Sequence, residues 1–220
     1  MTQREVSADP KASVAGIVLA GGQGRRFGMP KALIELGGRS LGERAACALS
    51  AGGCHPVLAV VGARAGAVRQ VFPVGAVDIV TNYQWQRGMA SSLEAGLAEA
   101  RRRNAGAAVV MQVDQPFVTP ALVARLIAAW HNGAIAAVSS YGGEPRTPVL
   151  LDASVFEPVI EAAVSDVGAR GYLRSHPEVV TLVDCDDVGD PRDIDSPEDL
   201  EALRSSPWLG RLDGSNSCAT

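Results

Sequence analysis

The sequence predicts an α/β fold: a three-layer α/β/α sandwich, Rossmann-like in its pattern, around a mostly parallel sheet. Three observations predict it. Short apolar runs recur along the chain with few polar interruptions, as strands covered on both faces require. Stretches with helical spacing stand between them, which is how successive βαβ units read. Hydrophobic residues make up 47% of the 220 positions and charged residues 20%, which is enough apolar material for one sizeable core.

The elements follow in order. VAGIVLA at 14–20 is the first buried strand, followed by PVLAVVG at 56–62, AVDIVT at 76–81, AAVVMQV at 107–113 and AIAAVSS at 134–140. Helical patterns occupy 41–52, 89–103 and 120–131. The last of these has a clear start signal: Thr119 in the N-cap position and Pro120 at the first helical position, where a missing N–H costs nothing. A further strand is expected over Thr147-Pro148-Val149-Leu150-Leu151. No repeat or linker divides the chain, so one domain is expected over 14–204, flanked by flexible termini at 1–13 and 205–220.

Composition excludes several classes. The formal net charge of −4 argues against a dedicated nucleic-acid binder, although local cations can still meet a nucleotide's phosphates. No apolar run approaches the roughly 18 residues of a membrane span. The polar N-terminal stretch lacks a signal core, so a cytoplasmic protein is expected. Cys47, Cys54, Cys185 and Cys218 form no C-x-x-C pair and are expected as reduced thiols. His55, His131 and His176 are too scattered to suggest metal-ligand spacing.

In open parallel sheets, ligands bind at the carboxyl ends of strands. There the first strand runs into Leu19-Ala20-Gly21-Gly22-Gln23-Gly24-Arg25-Arg26-Phe27-Gly28-Met29-Pro30-Lys31. Glycines let backbone N–H groups approach phosphate oxygens, and Arg26 and Lys31 can neutralise their charge. A Gly-rich turn with two surface cations would read the same way. The loop is not a P-loop, which ends in Gly-Lys-Ser/Thr, nor a dinucleotide fingerprint, which needs a glycine where Phe27 stands. It does resemble the signature of the NTP-transferase superfamily related to molybdenum-cofactor nucleotidyltransferases, roughly L-A-G-G-x-S/G-x-R-M/F-G-x-P-K. The resemblance implies a nucleotidyltransferase fold. It implies nucleotide contacts from Leu19, Ala20, Gly21, Gly22, Gly24, Arg26 and Lys31, with Arg26 and Lys31 also acting in catalysis.

Two aspartates stand where a metal is expected. Asp114 ends a strong apolar strand, and Asp195 precedes the helix start Ser196-Pro197. Nucleotidyl transfer calls for a divalent ion to offset charge on the phosphates. Taken alone, Asp114 reads equally as an Asx-turn residue and Asp195 as a partner of the helix dipole. However, D-Q-P-x-V-T and D-I-D-T/S-P-E-D-L both resemble segments of the subgroup that transfers CMP to molybdopterin. That implies Asp114 and Asp195 as Mg2+ ligands, with Asp114 catalytic and Asp193 the lesser candidate.

Gly88 to Leu97 opens a helix that Ser91 or Ser92 could cap, and whose N–H and hydroxyl groups could meet a base or ribose. The block resembles G-M-S/A-x-S-L-x-A-G-L of molybdenum cofactor cytidylyltransferases, so Asn82, Ser91 and Ser92 are expected at the nucleotide and CTP is preferred over GTP. Asp166 to Leu173 resembles G-D-x-G-A-R-x-L-L, which implies acceptor contacts from Arg170 and Thr147. Here the chain departs from the family: Arg146-Thr147 replaces Gly-His.

The resemblance covers 14–204 and implies transfer of CMP from CTP to molybdopterin, with delivery to a molybdoenzyme or its chaperone. The alternatives are a guanylyltransferase of the same superfamily, a transferase for another phosphorylated acceptor, and a non-catalytic nucleotide-binding delivery protein.

Overall fold

The computed structural model describes residues 13–213. Nine strands form: β1 (Val14–Ala20), β2 (Glu35–Leu36), β3 (Arg39–Ser40), β4 (Val57–Val61), β5 (Asp78–Thr81), β6 (Ala107–Gln112), β7 (Ala136–Tyr141), β8 (Glu144–Asp152) and β9 (Val180–Asp184). The helices are α1 (Leu41–Ala51), α2 (Ala65–Val68), α3 (Met89–Arg102), α4 (Pro120–His131), α5 (Phe156–Ala162), α6 (Arg170–Ser175), α7 (Pro197–Arg204) and α8 (Pro207–Asp213). Seven strands make the main sheet in the order β5-β4-β1-β6-β8-β7-β9, while β2 and β3 form a small separate ribbon. All main-sheet pairings are parallel except those of β8, which runs antiparallel to both β6 and β7.

The period of two along each central strand divides the core into two layers. On one face Val14, Val18, Val57, Ala59, Val109 and Met111 pack with Leu41, Leu49, Leu122, Leu126 and Trp130 from α1 and α4. On the other, Ala15, Ile17, Leu58, Val60 and Val110 pack with Leu93, Leu97, Phe156 and Val159 from α3 and α5. A strand buried on both faces has no polar side to show. This is why these runs read as unbroken apolar sequence.

Local signals set the helix ends. Ser40 caps α1 by accepting from Glu43 N at 3.1 Å, and Thr119 caps α4 by accepting from Leu122 N at 3.2 Å. Ser196 and Asp199 form a reciprocal capping box at α7. The expected serine cap on α3 is not made. Its N-cap is Gly88, and Ser91 Oγ instead donates to the carbonyls of Gln84 and Gly88 at 3.0 and 2.9 Å.

Three features differ from expectation. The strand β9 lies at a sheet edge and is half exposed, so it lacks the continuous apolar run that marks the central strands. The segment expected as a loose tail from 205 is helical as α8, where Trp208 and Leu209 pack against the first core layer. The rest of the expected flexible termini lies outside the described residues. Cys54 and Cys185 are free and buried, but Cys47, fully buried within α1, is disulfide-bonded rather than reduced. Cys218 lies outside the described residues.

Candidate active site

The carboxyl edge of the sheet carries the candidate residues. The glycine loop leaves β1 and turns tightly, with Phe27 N donating to Gly24 O at 3.0 Å and Gly28 N to Arg25 O at 3.3 Å. Gly24 has φ +65°, and a Cβ there would lie 1.8 Å from the Met29 carbonyl oxygen, so the loop closes only without a side chain at this point. The loop floors a cavity of about 650 Å³ lined by Leu19, Ala20, Gly21, Gly22, Gly24 and Lys31, with Gln23 and Arg25 beside them. Its far walls come from other strand ends: Asp114 after β6, Ser92 and Met89 from the start of α3, and Trp85 and Gln86 after β5.

Lys31 joins the two aspartates. Its Nζ lies 2.8 Å from Asp114 Oδ2 and 2.6 Å from Asp195 Oδ1. Arg26, exposed on the loop and not part of the cavity wall, reaches within 3.7 Å of Asp195 Oδ2. Burial opposes the charge on Lys31, but the Asp114 carboxylate and then Asp195 offset it, and the ammonium is held above its ordinary pKa. Asp193 belongs to the same group. Desolvation, with the Asp114 carboxylate and then Asp195 adding to it, pushes Asp193 up to about 6 against a hydrogen bond from Gln115 and the pull of Lys31.

These residues suit a hard divalent cation in their donor chemistry. Two carboxylates from separate segments converge on one positive charge, and that charge is at present the lysine's. Among the described residues no three His, Cys, Asp or Glu side chains form a metal cage. An open site of one or two carboxylates, completed by phosphate oxygens and water, is the usual arrangement for Mg2+.

Two residues expected at the nucleotide sit behind the wall rather than in it. Asn82 and Ser91 are buried, and Asn82 Nδ2 donates to Ser91 Oγ at 2.9 Å and Ser92 Oγ at 3.0 Å. Only Ser92 of the three lines the cavity. The reason is geometric: a polar turn leaving a short strand must satisfy its own buried groups, and an asparagine with two serines does so.

A second cavity of about 720 Å³ opens beside the first, above β6, β8, β7 and β9. Thr147 and Arg170 both line it, together with Arg146, Arg174 and a largely aliphatic wall that includes Leu93, Val138, Val149, Leu173 and Leu182. Thr147 is fixed from below by Gln115 Nε2, which donates to its Oγ1 at 2.6 Å and its carbonyl at 3.2 Å. The two cavities share Leu19, Met89, Gln112 and Asp166 as common wall. Asp166 Oδ1 accepts from Met89 N at 3.1 Å, and Ala90 N donates to Ser165 O at 2.8 Å. The loop before α6 is thereby tied to the start of α3.

Sequence reasoning missed Trp85, Gln112 and Arg174 as cavity residues. Trp85 had a usable signal, since it follows a strand end on the same sheet edge as the glycine loop. Gln112 had the same signal at the end of β6, and Arg174 stands one helical turn after Arg170 on α6 and so shares its face.

Comparisons with known proteins agree with this fold. The family described as "MobA-like NTP transferase domain" matches residues 16–179. The chain is 39% identical to "Nicotine blue oxidoreductase" of Paenarthrobacter nicotinovorans over 86% of this chain and 96% of the relative. It is 33% identical to "Molybdenum cofactor guanylyltransferase" of Rhodobacter capsulatus over 85% and 93%. Among solved structures, the Rv0371c homologue from Mycobacterium sp. strain JC1 superposes with TM-score 0.77 at 30% identity, covering 90% of this chain and 98% of that one. Mycobacterium tuberculosis Rv0371c described as a complex with manganese superposes with TM-score 0.71 at 27% identity, covering 88% and 99%.

Proposed function

The chain belongs to the MobA-like NTP transferase family, and we propose that within it this nucleotidyltransferase moves CMP from CTP onto the phosphate of molybdopterin, releasing pyrophosphate. The observation that carries the reading is the pair of adjoining cavities. One has the glycine loop, Lys31 and Asp114; the other is aliphatic with arginines; and they share a wall. A nucleotide's α-phosphate and an acceptor can meet only where two such cavities join.

The reaction asks little covalent chemistry of the protein. A phosphate oxygen of the acceptor attacks the α-phosphorus in line, a new P–O bond forms, and the bond to the β-phosphate breaks with pyrophosphate taking its electron pair. The attacking phosphate is already ionised at neutral pH, so no strong base is required. What the chain must supply is position and charge. The glycine loop lets backbone N–H groups approach the triphosphate, and Lys31 offers it positive charge from the cavity wall, while Arg26, outside that wall beside Asp195, adds positive charge at the rim. Lys31 now pairs with Asp114 and Asp195, so incoming phosphates compete with those carboxylates for the ammonium. Asp114 and Asp195 would hold Mg2+, which when bound supplies Lewis-acid neutralisation of phosphate charge. Arg170 and Arg146, at the mouth of the second cavity, suit an anionic acceptor with an apolar body.

The preference for CTP rests on the block from Gly88 to Leu97, of which Gly88, Met89 and Ser92 line the nucleotide cavity. A guanylyl reading is favoured by the relative from Rhodobacter capsulatus, which is named for that activity. The name oxidoreductase stays with the relative that bears it, since the loop here departs from the dinucleotide pattern at Phe27. The experiment is to incubate the protein with Mg2+, molybdopterin and either CTP or GTP and to weigh the products. The cytosine dinucleotide is expected as the main product. The guanine dinucleotide in its place would establish the second reading, and no dinucleotide from either would remove this acceptor.

A further inference from the structure

The sheet edge orders the nucleotide cavity from end to end. Trp85 follows β5, Gly62 follows β4, the glycine loop follows β1 and Asp114 follows β6, and these strands are adjacent in that order. With neighbouring strands about 4.8 Å apart, the end of β4 lies roughly 5 Å from the loop and roughly 10 Å from the Asp114 strand. Lys31 and Asp114 fix the phosphate end on the β6 side. The remainder of a nucleotide therefore extends toward β4 and β5, where Trp85 is the only aromatic side chain among the described residues lining the cavity.

That tryptophan is held in place from several directions. A Cβ at Gly62 would lie 2.5 Å from Trp85 Cβ and 2.9 Å from its Cγ, so the side chain is seated on bare backbone at the end of β4. Its turn is pinned on both sides: Gln84 N donates to Asn82 Oδ1 at 2.8 Å, and Gly88 N donates to Trp85 O at 3.1 Å. Ser91 Oγ closes the turn by donating to Gln84 O at 3.0 Å. The residue is only half buried, and its indole N–H has no hydrogen-bond partner among the described residues. An ordinary core tryptophan satisfies that group, as Trp130 does by donating to Asp152 at 2.8 Å.

We propose that Trp85 is the platform on which the nucleobase of the bound NTP stacks, with Asn82 and Ser91 as the positioning residues that hold it there. The proposal rests on the reading of this cavity as the nucleotide site. Every base has a π-face, so stacking of this kind supplies affinity without choosing between bases. Choice between cytosine and guanine is left to groups at the base edge, Ser92 and the backbone at Gly88 among them.

The test measures binding of CTP and of GTP, each with Mg2+, by calorimetry and by intrinsic fluorescence, for the wild type and the variants Trp85→Leu and Trp85→Phe. Leucine keeps apolar bulk over Gly62 but has no aromatic face, and melting temperature checks that the fold survives. The account expects Trp85→Leu to bind both nucleotides more weakly in parallel, by roughly 5- to 150-fold, the range that base–aromatic stacking covers. Trp85→Phe should regain most of the affinity. Nucleotide should quench wild-type fluorescence, and the quench should vanish in Trp85→Phe although Trp130 and Trp208 remain. Wild-type affinity in a folded Trp85→Leu overturns the platform and leaves the nucleotide site standing. A wild-type protein that binds neither nucleotide overturns the site itself, and the platform with it.

Discussion

The two halves of the carboxyl edge use different means. Over β5, β4, β1 and β6 the strands are all parallel, the loop that follows β1 is glycine-rich, and the polar side chains facing the cavity include Lys31, Asp114 and Ser92. Over β8, β7 and β9 the sheet contains its one reversed strand, and the cavity is walled by aliphatic side chains with arginines at its mouth. In the proposed reading the first half meets phosphate, whose charge and geometry are the same in every nucleotide, so a fixed backbone shape and fixed charges serve it. The second half in that reading takes the acceptor, whose fit depends on shape, and shape is set by many side chains that each matter little alone.

Four substitutions or probes separate the halves, beginning with the largest effect. Asp114→Ala removes one of the two carboxylates that meet at Lys31, and turnover should fall by at least about 10²-fold, as for other groups that stabilise developing charge. The melting temperature should change little, because the group sits at a strand end. Near-normal turnover at limiting Mg2+ would dissolve the assignment of charge chemistry to this half. Gly24→Ala forces a side chain into a left-handed position and against the Met29 carbonyl. At about 1–2 kcal/mol for the conformation alone, nucleotide binding should weaken by roughly 5- to 30-fold with acceptor KM unchanged. A rise in acceptor KM instead would show that the loop serves both cavities. Arg170→Ala should do the reverse, raising acceptor KM by about 3- to 10-fold and leaving nucleotide KM alone, the size of one ordinary hydrogen bond or solvent-exposed ion pair.

The smallest effect is an absence of reaction. Burial pushes the Cys54 thiol up to about 12 and the Cys185 thiol up to about 11. One lies just before the amino end of β4 and the other just after the carboxyl end of β9, both packed in the first core layer. Both are neutral thiols at pH 8, so a thiol reagent should modify neither in the native protein within minutes and both after unfolding. Because these folded pKa values lie above the ordinary value near 9, the associated stability is intact below pH 9. It is lost as pH rises through the window from 9 to about 12. Rapid native labelling of Cys185 alone would mean that the acceptor half opens independently.

Legibility in the sequence follows the same division. The loop from Gly21 to Lys31 was readable because glycine spacing, the preceding strand and the Pro-Lys after it are all local. The strands β1, β4 and β6 were readable because burial on both faces leaves continuous apolar runs. The edge strand β9 was not, since its exposed face interrupts the pattern, and α8 was hidden by the polar residues around Trp208 and Leu209. Asp114 and Asp195 were each ambiguous alone, and only the fold brings both to Lys31. Asn82 and Ser91 show the opposite failure. Their residue types suited ligand contact, but the turn that carries Trp85 needs them to satisfy its own buried polar groups.

The central claim is that the two cavities are halves of one transferase site with CTP in the first. The most direct measurement is pyrophosphate release with each NTP in turn, with and without molybdopterin. The account predicts release only when nucleotide and molybdopterin are both present, faster with CTP than with GTP by kcat/KM. Release that ignores molybdopterin, or that is equal or greater with GTP, would contradict it.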